Sequence, residues 1–154
     1  MLTDAPVRAS PNFSGYTRLL SDSGVALFAE PSVAKRLRER FPESLADVPL
    51  LLPLEHTGLR VSLTRWFETH HVRPRIRGEF QDSALAVVFA REQQCVLAMP
   101  TVIADQMRSH YRLAPVAELD GVRARFYAVT PDRKVAHPAV RAIVSHERAR
   151  SIRA

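Results

Sequence analysis

A single cysteine, Cys95, is all that 154 residues supply, so no internal disulfide framework is possible, and the apolar run CVLAM around it marks a buried thiol. Such usage fits a reducing cytoplasm. Residues 1–20 hold no basic start followed by a long apolar core, and no apolar run comes near the ~18 residues that cross a bilayer. Neither export nor a membrane partner is expected. The sharp catalytic signatures are missing as well. There is no glycine-rich phosphate loop, no nucleophile elbow and no HExxH helix, which argues against an enzyme and gives no reason to expect a cofactor. Of the six histidines, His70 and His71 are adjacent and leave a helix in different directions, while His56, His110, His137 and His146 are not at ligand spacing; no metal is expected. There is no internal repeat and no low-complexity block.

What is present is a basic chain of alternating apolar runs and helix-period segments. Lys plus Arg number 22 against 16 Asp plus Glu, a formal +6 carried almost wholly by arginine. Such charge permits contact with anions or nucleic acid, and spread along helix faces it makes a solvated surface.

VALFA (25–29), PLLLP (49–53) and CVLAMP (95–100) are continuous apolar runs, as strands covered on both faces require. RPRIRGEF is extended, and LAPVAEL and ARFYAVT predict two more strands around an Asp120-Gly121 turn. Between the runs lie amphipathic helices. Val33, Leu37 and Phe41 recur four apart in the first; Leu59, Leu63, Trp66 and Phe67 form one stripe in the second, with Thr57 as its N-cap. Trp66 and Phe67 therefore belong to the core, with base stacking as the alternative. Asp82 caps a third helix that buries Leu85, Val88 and Phe89, and Thr101 caps a fourth that runs to about Tyr111. Pro138 opens a last helix with Val140, Ile143 and Val144 on one face, and the end, HERARSIRA, is a solvated arginine-rich terminus. Strands alternating with helices predict an α/β fold.

In such sheets ligands sit beyond the carboxyl ends of the strands. The polar loops 55–57, 81–83 and 99–101 follow predicted strands and open into predicted helices, whose first amides lack internal partners and would point outward as donors. Asp82 and Ser83 have two roles open to them, capping those amides or hydrogen-bonding a small ligand. Thr57 and Gly58 pose the same choice, Gly58 leaving room for close approach. Arg60, one turn in, would attract an anion or face water.

The run from GVALFAEP through PLLLPLEHTGLR…W and EFQDSALAVVF, with PTVIADQM and RFYAVTPDRKVAHPAVRAI, resembles the effector-binding region of LysR-type transcriptional regulators. Within that family it is similar to the group that activates sodium/proton antiporter genes. The resemblance implies a periplasmic-binding-protein-like lobe, three-layered, with a mixed, mostly parallel sheet flanked by helices. It further implies a truncated second lobe, residues 1–15 being a crossover or linker remnant, 16–131 the effector-binding lobe and 132–154 a return segment with the C-terminal helix. The implied function is the effector-sensing C-terminal portion of a regulator, lacking the helix-turn-helix and hence direct DNA binding. The implied effector-binding residues are Thr57, Gly58, Gln81, Asp82, Ser83, Pro100 and Thr101. Partners would be a small-molecule or ion effector, and a second copy or a full-length regulator that the chain dampens; a stand-alone small-ligand or ion binder is the alternative. One departure is local: the family enters the strand after the Asp82 helix through a G-x-G turn, where this chain has Gln93 and Cys95, so the turn must be rebuilt.

Overall fold

A computed structural model describes residues 2–3 and 15–130. The helix expected from Pro138 and the HERARSIRA end lie outside them. In chain order the elements are β1 (Leu2–Thr3), β2 (Tyr16–Ala29), α1 (Pro31–Arg38), β3 (Pro49–Pro53), α2 (Gly58–Thr69), β4 (Arg75–Phe80), α3 (Ser83–Glu92), β5 (Val96–Pro100), α4 (Ala104–Ser109) and β6 (Ala114–Thr130). The strands are hydrogen-bonded in the order β1-β6-β2-β5-β3-β4. The chain divides into two compact units, Ser23–Arg123 and the flanking stretches Met1–Asp22 with Ala124–Ala154. In the flanking unit Leu2 and Thr3 pair antiparallel with Ala128 and Tyr127, and Arg125 donates to Asp22 at 3.1 Å.

The central unit is the α/β lobe that the apolar runs require. β3 lies parallel to both β4 and β5, and β2 closes antiparallel on β5, so the sheet is mixed with a parallel heart. Ala26, Phe28, Leu51, Leu97 and Met99 share one face with Ala86, Val87 and Ala90 of α3 and Met107 of α4. By strand alternation Val25, Leu27, Leu50, Leu52 and Val96 take the opposite face, and all five are buried. Coverage on both faces explains why these strands read as unbroken apolar runs rather than alternating ones. β2 shows the contrast within one strand: its first seven residues are exposed or half-buried, and its last seven, Ser23 and Gly24 with the VALFA run, are buried.

Two expectations about elements are corrected. LAPVAEL and ARFYAVT form one strand, β6, that runs through Asp120 and Gly121 without a break; Gly121 at φ +72° absorbs the irregularity. α3 does not bury Leu85, Val88 and Phe89. They are 70%, 51% and 44% exposed, while Ala86, Val87 and Ala90 face the sheet. Small residues let the helix sit close to the strands, and the larger residues beside them are left outside.

The helix ends carry the rebuilt turns. α3 stops in a reciprocal cap in which Cys95 N–H reaches Ala90 O at 2.9 Å and Gln94 N–H reaches Arg91 O at 3.5 Å. α2 ends the same way, Val72 N–H to Phe67 O at 2.9 Å and His71 N–H to Glu68 O at 3.1 Å. The residue these caps push to positive φ is not glycine in either case: His71 has φ 55° and Gln94 has φ 51°, and Arg112 beyond α4 has φ 55°. The left-handed position thus falls at Gln94, between the two places, Gln93 and Cys95, where the family motif carries glycine.

Candidate functional site

Parallel pairing decides where the polar loops go. The carboxyl ends of β3 and β4 are in register, Pro53 opposite Phe80, and Leu54 N–H bonds Phe80 O at 3.2 Å just past them. β5 runs the same way, and its end, Pro100, lies opposite Val25 of β2. Residues 55–57, 81–83 and 100–101 therefore leave neighbouring strands at one rim, with strand spacings of roughly 5 Å between them. Ser23 and Gly24, at the entry to the buried half of β2, complete it.

Each predicted residue has a definite place on this rim. Thr57 is the N-cap of α2; its Oγ1 accepts from Arg60 N–H at 3.2 Å and donates to Leu54 O at 2.9 Å. Gly58 is the first, exposed residue of α2. Gln81 is exposed ahead of Asp82, whose Oδ1 accepts from Ala84 N–H at 2.8 Å and Leu85 N–H at 3.2 Å, and Ser83 begins α3. Pro100 ends β5 and serves as N-cap of the 3-10 turn Thr101–Ile103 that leads into α4.

Thr101 is not the cap that the sequence suggests. It is the first residue of the 3-10 turn, and its Oγ1 donates to Gly24 O at 3.3 Å and lies 3.2 Å from Ser23 Oγ. The capping acceptor comes from another strand: Ser23 Oγ accepts from Val102 N–H at 3.2 Å while donating to Gly24 O at 2.9 Å. Ser23 is buried and separated from its partner by 79 residues. No local pattern reveals such a pairing.

Arg60 fits neither reading offered for it. Its side chain is 10% exposed, and Nη1 donates to Pro53 O at 2.8 Å and to Glu79 Oε1 at 2.6 Å, with Glu55 at 3.9 Å from Nη2. The guanidinium bolts the end of β3 to β4, and Glu79 satisfies its charge. It sits one residue beyond Leu59 in the expected apolar stripe and takes the buried place there, Leu59 being only partly covered.

Four of the amides at the helix starts, those of Arg60, Ala84, Leu85 and Val102, are already bonded by Thr57, Asp82 and Ser23. Away from the rim, Cys95 is fully buried beneath α3, and burial pushes its thiol up. Trp66 and Phe67 are buried, with His70 stacked on Trp66 at 4.0 Å between ring centroids. Among the described residues no group of three or more His, Cys, Asp or Glu could hold a metal ion, and no helix is long and apolar enough to cross a membrane. A hollow of about 600 Å³, lined by Glu30, Arg91, Gln94 and Arg112 among others, opens near the start of β5, away from the rim.

The model of the LysR substrate binding domain matches residues 5–151. Transcriptional activator protein NhaR of Escherichia coli (strain K12) is 23% identical over 143 residues, 93% of this chain and 46% of that protein. The chain spans about half the length of the curated relatives it matches. Among solved structures, the reduced regulatory domain of OxyR2 from Vibrio vulnificus superposes with a TM-score of 0.67 at 9% identity, covering 97% of this chain and 70% of that one. The CcmR regulatory domain of Synechocystis PCC6803, in complex with 2-PG, gives 0.57 at 15% identity, covering 96% and 71%.

Proposed function

Because the chain belongs to the LysR substrate-binding domain family, we propose that it senses a small effector on behalf of a transcriptional regulator, using the rim formed by Thr57, Gly58, Gln81, Asp82, Ser83, Pro100 and Thr101. The observation that carries this reading is the shared rim itself: parallel register aligns the loops after β3, β4 and β5 at the strand ends, where open α/β sheets take their ligands. The CcmR domain, similar in fold, was solved with 2-PG. Control of a sodium/proton antiporter gene, action in the cytoplasm and the absence of direct DNA binding by these 154 residues belong to the same proposal. In a regulator, effector binding acts by favouring one of two arrangements for which it has different affinity.

Thermal melts against a metabolite library test it. A ligand that stabilises the chain in proportion to its concentration, and loses that effect in Thr57→Val and in Ser83→Ala, supports the rim. A ligand whose effect survives both variants, or sequence-specific retention of promoter DNA by the chain alone, overturns the reading.

A second reading, pairing with another copy or with a full-length regulator, draws on the exposed Leu85, Val88 and Phe89 of α3. Apolar stripes of this kind mark association surfaces. Sedimentation velocity on Phe89→Glu checks it: the variant should sediment as a smaller species than the wild type, and equal behaviour removes this surface from consideration.

A further inference from the structure

We infer that the hollow near the start of β5 is a second binding site, separate from the rim, and that it takes a phosphate group, free or as a monoester. The inference stands apart from the reading of the rim.

At about 600 Å³ the hollow has the size of a small-molecule site. Three segments line it: Glu30 at the start of α1, the run from Arg91 to Gln94 that closes α3, and Arg112 between α4 and β6. Strand pairing brings the first two together. β2 ends where the antiparallel β5 begins, Phe28 lying opposite Leu97, so α1 opens beside the turn that joins α3 to β5.

Hydrogen-bonding capacity around the hollow is lopsided. Among the described residues, the side chains of Arg91, Arg112, Gln93 and Gln94 have no hydrogen-bond or ion-pair partner. Each guanidinium holds five N–H donors and each amide two. Of the two carboxylates in the lining, Glu30 is committed as the cap of α1, accepting from Ser32 Oγ, from Ser32 N–H at 3.0 Å and from Val33 N–H at 3.4 Å. Glu92 is therefore the one uncommitted carboxylate beside two uncommitted guanidiniums. The last carbonyls of α3, which would repel an anion, are also covered: those of Phe89, Ala90 and Arg91 accept from Gln93, Cys95 and Gln94 N–H.

The backbone adds an independent observation. Gln94 and Arg112 sit at φ 51° and 55°, and both are exposed. Glycine would relieve that strain, and no contact within the lobe calls for either side chain. Strain kept at side chains the fold does not need points to a use outside the fold. The use that fits is an oxyanion. A phosphate dianion brings two charges and several acceptor oxygens to two guanidinium forks, each able to grip a pair of oxygens. A monocarboxylate brings two oxygens and one charge, and a neutral ligand leaves both guanidiniums without a countercharge.

The test uses the full chain, labelled with nitrogen-15, at neutral pH and constant ionic strength, titrated with inorganic phosphate, glycerol 3-phosphate, succinate or chloride. Either phosphate should move the amides of Glu92, Gln94 and Arg112 saturably, and at least about fivefold more tightly than succinate. R91Q and R112Q change exposed side chains without partners, and each should weaken binding roughly threefold or more. Q94G should weaken it about twofold while raising the melting temperature, which separates a ligand contact from a structural role. E92Q should tighten it. A monoester that outcompetes inorganic phosphate makes a phosphorylated metabolite the occupant, and equal affinity makes it free phosphate; both outcomes support the site. Succinate binding as tightly as phosphate overturns the phosphate assignment. Shifts that do not saturate, or that survive R91Q and R112Q unchanged, mean an adventitious ion only and overturn the site itself.

Discussion

Gln94→Gly should stabilise the protein by about 1 kcal/mol, and the reasoning behind that figure depends on one backbone angle. Gln94 adopts φ 51° to close the cap of α3, a conformation that costs an L-residue roughly 1–2 kcal/mol. Glycine adopts it freely but gives up ~0.5–1 kcal/mol in chain entropy, which leaves a net gain of about 1 kcal/mol. The Gln94 side chain is exposed, so no packing is lost on removing it. Gln93, its neighbour, is equally exposed but has φ −102°, and Gln93→Gly should therefore lose ~0.5–1 kcal/mol. The pair forms an internal control. Urea melts at constant m-value give the two free energies directly, and the melting temperature of Gln94→Gly should rise by about 2–4 °C for a chain of this size. Equal shifts in the two variants, or no gain at Gln94, would refute the claim that backbone strain sits at this position. His71→Gly and Arg112→Gly should behave like Gln94→Gly, since both residues are exposed and have φ 55°.

Three further outcomes are expected. Arg60→Leu should cost on the order of 1.5–3 kcal/mol in a urea melt, because it unbolts Pro53 O and Glu79; Glu79→Gln, which keeps an acceptor there, should cost less. On α3, Val87→Ala should lose about 1–3 kcal/mol while Leu85→Ala stays within about 0.5 kcal/mol, the reverse of what side-chain size alone suggests. Glu30 caps α1 by accepting from Ser32 Oγ and from Ser32 and Val33 N–H, and these bonds hold its carboxyl below the usual range. Its contribution is complete above the ordinary carboxylate value and fades as pH falls through the lowered one. Glu30→Gln should accordingly destabilise at neutral pH, with the difference closing in acid, as melts across pH will show.

Much was legible in the sequence by itself. PLLLP and VLAMP had to be covered strands because an unbroken apolar run has no solvent face, and Val33 with Leu37 had to be one face of a helix. Thr57 and Asp82 were readable as caps because the bond each makes is local, spanning two or three residues. Tertiary structure decided the rest. Whether α3 turned its leucine and phenylalanine or its alanines toward the sheet depended on how closely it had to approach strands already crowded with Phe28, Leu51 and Leu97. The burial of Arg60 required Glu79 on a neighbouring strand, and the cap of Val102 required Ser23 from the far side of the chain. Periodicity reports which residues prefer to leave water. It does not report which distant atom will be waiting for a proton, since that is settled only when strands pair, and the same pairing brought the polar loops to one rim and Ser23 to Val102 N–H.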